Sequence, residues 1–338
     1  MKNLFLVLLM CVCTLTYAQK PLLDSASLAQ KTNFTSLEQA LKTPLEVYKL
    51  TLSKEDFTTL PKEIEKLKNL KELTLYKCDK VVSLSKEIEN LKNLNELSLS
   101  DNENLTIIPA EIGNLKNLKI LYLLGCPKLI SLPKQIGNLT SLENLYLIQN
   151  EKMADLPIEI GKLKNLKTLC IADCESITSL PKELGNLTNL EGLSLVEQEN
   201  LAGLPMEIAN LKNLKELHLT KWKNLVSLPK EIGNLINLEV LYLEDNVNLT
   251  TIPVEINELK KLKILYLAGC KNLTSLPKEI GNLTNLRRLT LDGYQQMSAL
   301  YAEIGKLKNL ESLSLYNTKM YQEEKNKLKK MLPKCNID

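Results

Sequence analysis

Aliphatic residues recur along the chain with a fixed period of 24 residues. One position in each unit holds leucine or isoleucine and is usually followed by proline. This position holds Leu60, Leu84, Ile108, Leu132, Leu156, Leu180, Leu204, Leu228, Ile252, Leu276 and Leu300. No insertion interrupts the series, so the chain is predicted to consist of equal units that stack on one another.

Each unit combines two local patterns. Leu121 and Leu123 alternate with other residues at a period of two, which predicts a short β-strand with both leucines on one side. Pro133 then predicts the first turn of a short helix, because proline lacks the N–H that would be unpaired there. Glycine is expected to end that helix in a left-handed conformation. These glycines are Gly113, Gly137, Gly161, Gly185, Gly233, Gly281 and Gly305.

The repeated phrase resembles a known family. Written as L-x-x-L-x-L-x-x-C/N-x-x-L-x-x-L-P-x-x-I-G-N-L-x-N-L, it is similar to leucine-rich repeats of secreted bacterial proteins and of plant disease-resistance receptors. The match runs over residues 47–318. The resemblance implies an α/β solenoid of about 12 coils, a horseshoe with a parallel β-sheet on its concave face and short helical segments on its convex face.

The first 18 residues have the pattern of a secretory signal peptide. Lys2 precedes an apolar run, and the small residue Ala18 ends it. We expect cleavage near Ala18, followed by a secreted, periplasmic or cell-surface location in a bacterium. A lipid anchor at Cys11 or Cys13 is the less favoured alternative, because the bulky Met10 precedes Cys11.

Caps are expected at both ends of the solenoid, because terminal coils must cover the core. Residues 19–46 are predicted to form an N-terminal cap with a short helix that follows a capping box at 35–38. Residues 319–338 are predicted to form a C-terminal cap, with an amphipathic helix from Gln322 to Leu332 and an edge segment at 335–337.

Cysteine and asparagine largely alternate at the position three residues after the second strand leucine. The resemblance implies that this column points into the coil, where it reads Cys78, Asn102, Cys126, Asn150, Cys174, Gln198, Trp222, Asn246 and Cys270. Cysteines two coils apart would lie about 9–10 Å from each other, beyond the roughly 4.4–6.8 Å Cα separation of a disulfide. We therefore predict free thiols. Trp222 is the exception in size, and either it turns outward or its coil is wider.

Composition argues against several function classes. The chain has 43 Lys plus Arg and 40 Asp plus Glu, a formal charge of +3, which provides no basic surface for nucleic acid. His218 is the only histidine, and no nucleotide loop, zinc signature or nucleophile elbow is found. We expect no enzyme activity, catalytic residue, metal or cofactor. After the signal peptide no segment is apolar enough for a membrane span.

The column between the two strand leucines, here called the central column, is implied to line the concave face. It reads Thr74, Ser98, Tyr122, Tyr146, Cys170, Ser194, His218, Tyr242, Tyr266, Thr290 and Ser314. Tyrosine is favoured at interfaces because it offers a large area and a polar tip. An alternative is that tyrosines simply favour strands. The predicted partner-binding residues are Tyr122, Leu124, Tyr146, Ile148, His218, Trp222, Tyr242 and Tyr266.

The resulting hypothesis is an exported, non-catalytic, monomeric binding module that recognises a protein partner through its concave face. Adhesion to glycans or the cell envelope, or a scaffold role, is the alternative. A more remote one is the targeting arm of an enzyme or effector, although only about 20 residues follow the repeats.

Overall fold

The computed structural model describes residues 31–273, 275–293, 301–318 and 322–338, and the predicted signal peptide lies outside them. Within these residues the chain forms one open sheet of 14 parallel strands, β1–β14, arranged in chain order. The strands are Asn33–Phe34, Lys49–Ser53, Glu72–Tyr76, Glu96–Ser100, Ile120–Leu124, Asn144–Ile148, Thr168–Ala172, Gly192–Val196, Glu216–His218, Val240–Tyr242, Ile264–Tyr266, Arg288–Thr290, Ser312–Ser314 and Asn336–Ile337. This arrangement confirms the predicted leucine-rich repeat horseshoe.

Short 3-10 helices return the chain from each strand to the next. They are Pro44–Glu46, Lys62–Lys66, Lys86–Asn90, Ala110–Asn114, Lys134–Asn138, Ile158–Lys162, Lys182–Asn186, Met206–Asn210, Lys230–Asn234, Val254–Glu258 and Lys278–Asn282. The repeated proline precedes the helix rather than starting its first turn, since Pro133 is the N-cap residue with φ −67° and ψ 145°. The fixed φ of proline suits this extended conformation as well as a helical one.

The prediction for the repeated glycines is wrong. Gly113 and Gly161 lie inside their helices, and neither has a positive φ. Glycine is required at this position because the helices of neighbouring coils approach each other closely. A Cβ on Gly161 would lie 2.5 Å from the carbonyl oxygen of Glu183, and one on Gly113 would lie 2.5 Å from that of Gln135. Glycine is therefore selected by helix stacking, which a side chain would prevent without a shift of the backbone.

Left-handed residues instead follow the strands. The non-glycine ones are Lys54, Lys77, Asp101, Gln149, Asp173, Glu197, Lys221, Asp245 and Asn317. This conformation costs roughly 1–2 kcal/mol for a residue with a side chain. Each coil keeps this conformation because the backbone N–H of the left-handed residue continues the hydrogen bonding of the sheet. The Gln149 N–H, for example, donates to the Ala172 carbonyl at 2.9 Å.

Short elements flank the repeats. Helix α1, Leu37–Ala40, is capped by the Ser36 side chain, which accepts a hydrogen bond from the Gln39 N–H. Helix α2, Tyr301–Ile304, replaces a 3-10 helix in a late coil. Helix α3, Gln322–Met331, buries Leu328 and is followed by the edge strand β14.

The cysteine and asparagine column points inward, as predicted. Asn150 Nδ2 donates to the Leu123 carbonyl at 2.9 Å, and Cys174 Sγ donates to the Leu147 carbonyl at 3.5 Å. Thiol and amide therefore make the same contact with the preceding coil. None of the six cysteines in the described residues is in a disulfide. Burial raises the pKa of Cys174 to about 12, so its thiol is protonated at neutral pH.

Trp222 also points inward and fills the interior of its coil. Its side chain is 0% exposed, and Nε1 donates to the Leu201 carbonyl at 2.7 Å. Its backbone N–H donates to Asn246 Oδ1 at 2.8 Å. The indole is thus both packed and hydrogen-bonded, which is how a buried tryptophan is accommodated. Trp222 belongs to the core rather than to the concave surface.

Candidate functional site

Parallel pairing without any offset aligns the central column across the sheet. Tyr122 pairs with Tyr146, and Tyr242 pairs with both His218 and Tyr266. Because every described repeat from β3 to β13 is 24 residues long, equivalent side chains lie side by side at the strand spacing of about 4.8 Å.

That spacing stacks the aromatic rings. The Tyr122 and Tyr146 rings lie 4.8 Å apart with an interplanar angle of 13°. His218 and Tyr242 are 4.5 Å apart, and Tyr242 and Tyr266 are 4.5 Å apart with an angle of 11°. The concave face therefore carries two ring stacks, a pair upstream and a set of three downstream.

Apolar side chains surround the upstream pair. They form a small hydrophobic cluster, separate from the main core, which consists of Ile120, Tyr122, Leu124, Tyr146, Ile148, Cys170, Ala172 and Val196. We call this the upstream patch. Burial and then the charge of Glu96 raise the pKa of Tyr122 to about 12, so its phenol remains a hydrogen-bond donor at physiological pH.

The downstream stack has charged neighbours. We define the downstream patch as Glu216, His218, Val240, Tyr242, Glu244, Ile264 and Tyr266. Glu216 Oε2 lies 3.6 Å from His218 Nε2. The pKa of Glu244 is raised, mainly by burial and by the charge of Asp245. The pKa of Tyr242 is raised to about 12 by burial, Tyr266 and the two glutamates.

Two family models match the chain. A leucine-rich repeat region matches residues 218–336, and a single leucine-rich repeat matches residues 93–115. A solved leucine-rich repeat protein of Leptospira interrogans is 34% identical, covering 91% of this chain and 99% of its own, with a TM-score of 0.43. The chain belongs to the leucine-rich repeat family.

Other leucine-rich repeat structures share the fold. An internalin of Listeria monocytogenes is 21% identical over 88% of this chain and 87% of its own, with a TM-score of 0.55. Toll of Drosophila, solved in complex with Spatzle, is 19% identical over 86% of this chain and 42% of its own, with a TM-score of 0.57. No curated protein matches the sequence.

Seven of the eight predicted site residues of this leucine-rich repeat protein lie on the concave strand face, in two groups. Tyr122, Leu124, Tyr146 and Ile148 lie in the upstream patch. His218, Tyr242 and Tyr266 form the downstream stack. Trp222 is the exception, and its inclusion as a surface residue is corrected by its complete burial.

Sequence reasoning placed Ser194 in the central column but missed Glu216 and Glu244. Glu216 and Glu244 flank the downstream stack, and Ser194 lies in the central column next to His218. The two glutamates stand two residues before and after a central-column position, so the alternation of the strands could have identified them. No sequence pattern predicts that the Ser194 hydroxyl is buried without a hydrogen-bond partner.

Within the described parts of the chain, no group of three or more His, Cys, Asp or Glu side chains is arranged to hold a metal ion. None of the helices in those parts is long and apolar enough to cross a membrane. The chemistry that the concave face offers is apolar contact, ring stacking and hydrogen bonding, which is the chemistry of a binding surface.

Proposed function

We propose that this protein is an exported, non-catalytic, monomeric binding module whose concave face recognises a protein partner. The observation that supports this most directly is the pair of ring stacks in the central column. Stacked rings are held rigidly, so a partner can bind them at little cost in side-chain entropy.

The arrangement resembles the energetic centre of an interface. Binding hot spots are rich in tyrosine and cluster in well-packed regions with polar surroundings. Tyr242 and Tyr266 are both half-buried, which leaves part of each side chain available for contact. Leu124 and Ile148 supply apolar area beside the upstream pair.

The family supports the same class of function. Leucine-rich repeat proteins are generally non-catalytic and bind proteins, and Toll was solved in complex with Spatzle. Because the likeness to Toll is below 25% identity, it supports the fold alone. The concave-face assignment for this chain depends on its own residues.

Export is the second part of the proposal and depends on the pattern of residues 1–18. Expression of the whole chain in a bacterium, fractionation and mass spectrometry of the N-terminus test it. We expect a mature chain that begins at Gln19 and lies outside the cytoplasm. A cytoplasmic chain that retains Met1–Ala18 would contradict export without affecting the binding site.

A matched pair of variants tests the concave face. The first replaces Tyr122, Tyr146, Tyr242 and Tyr266 with alanine. The control replaces four apolar residues that lie off the concave sheet and are each more than half exposed, namely Ile107, Ile130, Ile158 and Met206. Circular dichroism and thermal melts establish that both variants fold. Each is then immobilised and exposed to envelope and host extracts.

We expect a protein to be captured by the parent and by the control, and to be lost from the tyrosine variant. Equal capture by all three proteins would contradict the concave-face assignment. Competition by soluble oligosaccharides distinguishes a glycan ligand, because a protein partner should remain bound in their presence. Size-exclusion chromatography with light scattering tests the monomer.

A further inference from the structure

The charges along one edge of the concave sheet alternate until they reach strand β12. We call the residues two positions before the first strand leucine the rim column, which reads Lys71, Asn95, Lys119, Glu143, Lys167, Glu191, Lys215, Glu239, Lys263, Arg287 and Glu311. Lysine alternates with glutamate or asparagine as far as Lys263, and Arg287 then breaks the series. Lys263 and Arg287 are like charges on neighbouring strands, an arrangement that costs stability. Such a local departure from the pattern of the repeat is typical of a functional position.

An open groove of about 460 Å³ lies at this break in the alternation. Three cationic side chains, one carboxylate and one aliphatic side chain line it, namely Lys263, Arg287, Arg288, Glu311 and Ile264. Another groove along the rim column, of about 530 Å³, is lined by two lysines and two glutamates among neutral polar residues. The charges of that groove balance, whereas the groove at β11 to β13 has an excess of positive charge. We call the latter the cationic groove.

One positive charge in the cationic groove is not compensated. Lys263 pairs with Glu239 at 2.6 Å, and Arg287 pairs with Glu311 at 3.0 Å. Among the described residues no carboxylate lies within 4 Å of the Arg288 guanidinium, and the Arg288 side chain is exposed. Arg288 is therefore accessible to an anion, and the two paired cations beside it add to the positive potential.

The cationic groove adjoins the downstream patch. Arg288 pairs in register with Ile264, which lines the groove and also belongs to the downstream patch. A partner that covers Tyr266 and Ile264 therefore also reaches Arg288. The carboxylate of Glu216 does not neutralise this end of the patch, because three strand spacings, about 14 Å, separate its strand from that of Arg288. That distance exceeds the Debye length of about 8 Å at physiological salt.

We propose that the cationic groove binds a carboxylate group of the protein partner and so anchors the partner at the downstream end of the concave face. This inference rests on the proposed function and names the chemistry that the partner presents there. The carboxylate accepts two parallel N–H bonds from the Arg288 guanidinium, and Lys263 and Arg287 strengthen the attraction.

A carboxylate matches the groove in shape and in charge. The planar guanidinium presents donors at the spacing of the two carboxylate oxygens. The single uncompensated charge balances a single negative charge, whereas a phosphate monoester carries about −1.5 to −2 at pH 7 and would be repelled by Glu311. An acidic side chain and a free C-terminus of the partner present the same group, so both are sources that the experiment must distinguish.

Three peptides probe the groove: Ac-Gly-Glu-Gly-NH2, Ac-Gly-Gln-Gly-NH2 and Ac-Gly-Gly-Gly-OH. Glutamine keeps the shape of glutamate and removes its charge, and the third peptide offers only a C-terminal carboxylate. Each is titrated at constant ionic strength into the 15N-labelled protein, and the amide shifts of Ile264 and Arg288 are followed by NMR. We expect the glutamate peptide to bind with a Kd of about 10 mM, and the glutamine peptide at least fivefold more weakly. The tighter of the two carboxylate peptides identifies the source.

Two variants and a matched control localise the binding. Arg288→Gln removes the uncompensated charge and should weaken binding of the glutamate peptide more than fivefold. Arg288→Lys keeps the charge but loses the planar pair of donors, and it should weaken binding about threefold. Lys119→Gln removes one positive charge from the same rim column in the balanced groove and should change binding less than twofold. Thermal melts establish that all three variants fold.

The proposal is overturned if the glutamate peptide binds no more tightly than the glutamine peptide, or if folded Arg288→Gln binds it like the parent protein. Tighter binding of inorganic phosphate than of either carboxylate peptide, at equal ionic strength, would also overturn it. These results are separate from the capture experiment. If the tyrosine variant loses a partner while the glutamate peptide fails to bind, the concave face remains the binding site and only the groove assignment falls. If the glutamate peptide binds through Arg288 while the tyrosine variant captures as the parent does, the proposed function falls.

Discussion

The upstream and downstream patches occupy the same column of the same repeat, yet they differ in chemistry. Their ring geometry is nearly identical, with centroid distances of 4.8 Å upstream and 4.5 Å downstream. Their flanks differ: Ile120 and Leu124 flank Tyr122, whereas Glu216 and Glu244 flank the downstream stack. One is an apolar surface and the other is an acidic aromatic one.

The repeat thus determines the geometry of the two patches, and the flanking columns determine their chemistry. Equal repeat length and in-register pairing place aromatic central-column residues of neighbouring strands in contact. What the stack can bind depends on residues two positions before and after, which the repeat leaves variable. A binding surface can therefore change its partner without any change of fold.

The interiors beneath the two patches differ as well. Both interiors contain an inward-pointing asparagine, Asn150 upstream and Asn246 downstream, but Trp222 stands downstream where the upstream coils have a cysteine such as Cys174. The following substitutions test whether the downstream patch depends on this larger interior.

The largest effect is expected from Trp222→Ala. A fully buried tryptophan contributes about 3–5 kcal/mol relative to alanine, and here the Leu201 carbonyl also loses its donor. Urea denaturation should show a free energy of unfolding that is lower by about 3–5 kcal/mol. Cys174→Ala, at the equivalent upstream position, should cost about 1 kcal/mol.

Hydrogen exchange locates the damage. In a solenoid each coil contacts only its neighbours, so amides on β9 and β10 should exchange faster while those on β5 and β6 change little. A uniform increase across all strands would show that the two patches share one cooperative unit and would contradict their independence.

The next effect is expected from Asn246→Ala. Asn246 Oδ1 accepts from the Trp222 N–H, and its Nδ2 donates to the carbonyls of Leu219 at 2.6 Å and Leu243 at 2.7 Å. Loss of these contacts should cost about 2–3 kcal/mol in chemical denaturation. Asn150→Ala should cost less, because Asn150 Oδ1 has no partner among the described residues.

Asn150→Cys sharpens this contrast. Cys174 shows that a thiol can replace the amide donor in this column, so Asn150→Cys should stay within about 1 kcal/mol of the parent. Asn246→Cys should not, since a thiol cannot accept from the Trp222 N–H and also donate to two carbonyls. Equal costs at both sites would refute the claim that the downstream interior is more specifically bonded.

A smaller effect is expected from Gly161→Ala on the helical side of the upstream coils. The new Cβ would meet Glu183 O at 2.5 Å, so the neighbouring helices must separate, at a cost of about 1–2 kcal/mol. Gly203→Ala is the control, because a Cβ added there would meet no atom within 4 Å. Thermal melts should show a lower Tm for Gly161→Ala and an unchanged or higher Tm for Gly203→Ala.

Most of the fold was predictable because the sequence pattern repeats with a fixed period. The 24-residue spacing and the alternation of Leu121 and Leu123 predict parallel strands, and the structure confirms them. The role of the glycines was not predictable from one repeat, since a helix-ending glycine and a glycine at a helix contact have the same sequence pattern. Only the distance from Gly161 to the next coil distinguishes them.

The candidate site was predictable in part. In-register pairing makes the contact of Tyr122 with Tyr146 a consequence of the repeat alone. The direction of Trp222 was not, because it depends on whether the indole N–H finds a carbonyl within the coil, as it does at Leu201. Whether the Ser194 hydroxyl has a hydrogen-bond partner likewise depends on where its neighbours lie in three dimensions, and in the structure it has none.

The smallest predicted effect is on the pKa values of the tyrosines, and it distinguishes the two patches. The pKa values of Tyr122 and Tyr242 are both raised to about 12, by burial first in each case. The secondary causes differ: Glu96 acts on Tyr122, whereas Tyr266, Glu244 and Glu216 act on Tyr242. A raised folded pKa stabilises the fold below the ordinary tyrosine pKa of about 10, and this contribution is lost as pH rises from there through 12.

Glu244→Gln removes one negative charge beside Tyr242 and none beside Tyr122. We therefore expect the pKa of Tyr242 to fall by a few tenths of a unit while that of Tyr122 is unchanged, and Glu96→Gln should do the reverse. Titration of the tyrosine side-chain resonances by NMR between pH 9 and about 12.5 measures both groups in one experiment. If Glu244→Gln shifts both tyrosines equally, the charge acts through the whole concave face, and the acidic character assigned to the downstream patch alone is wrong.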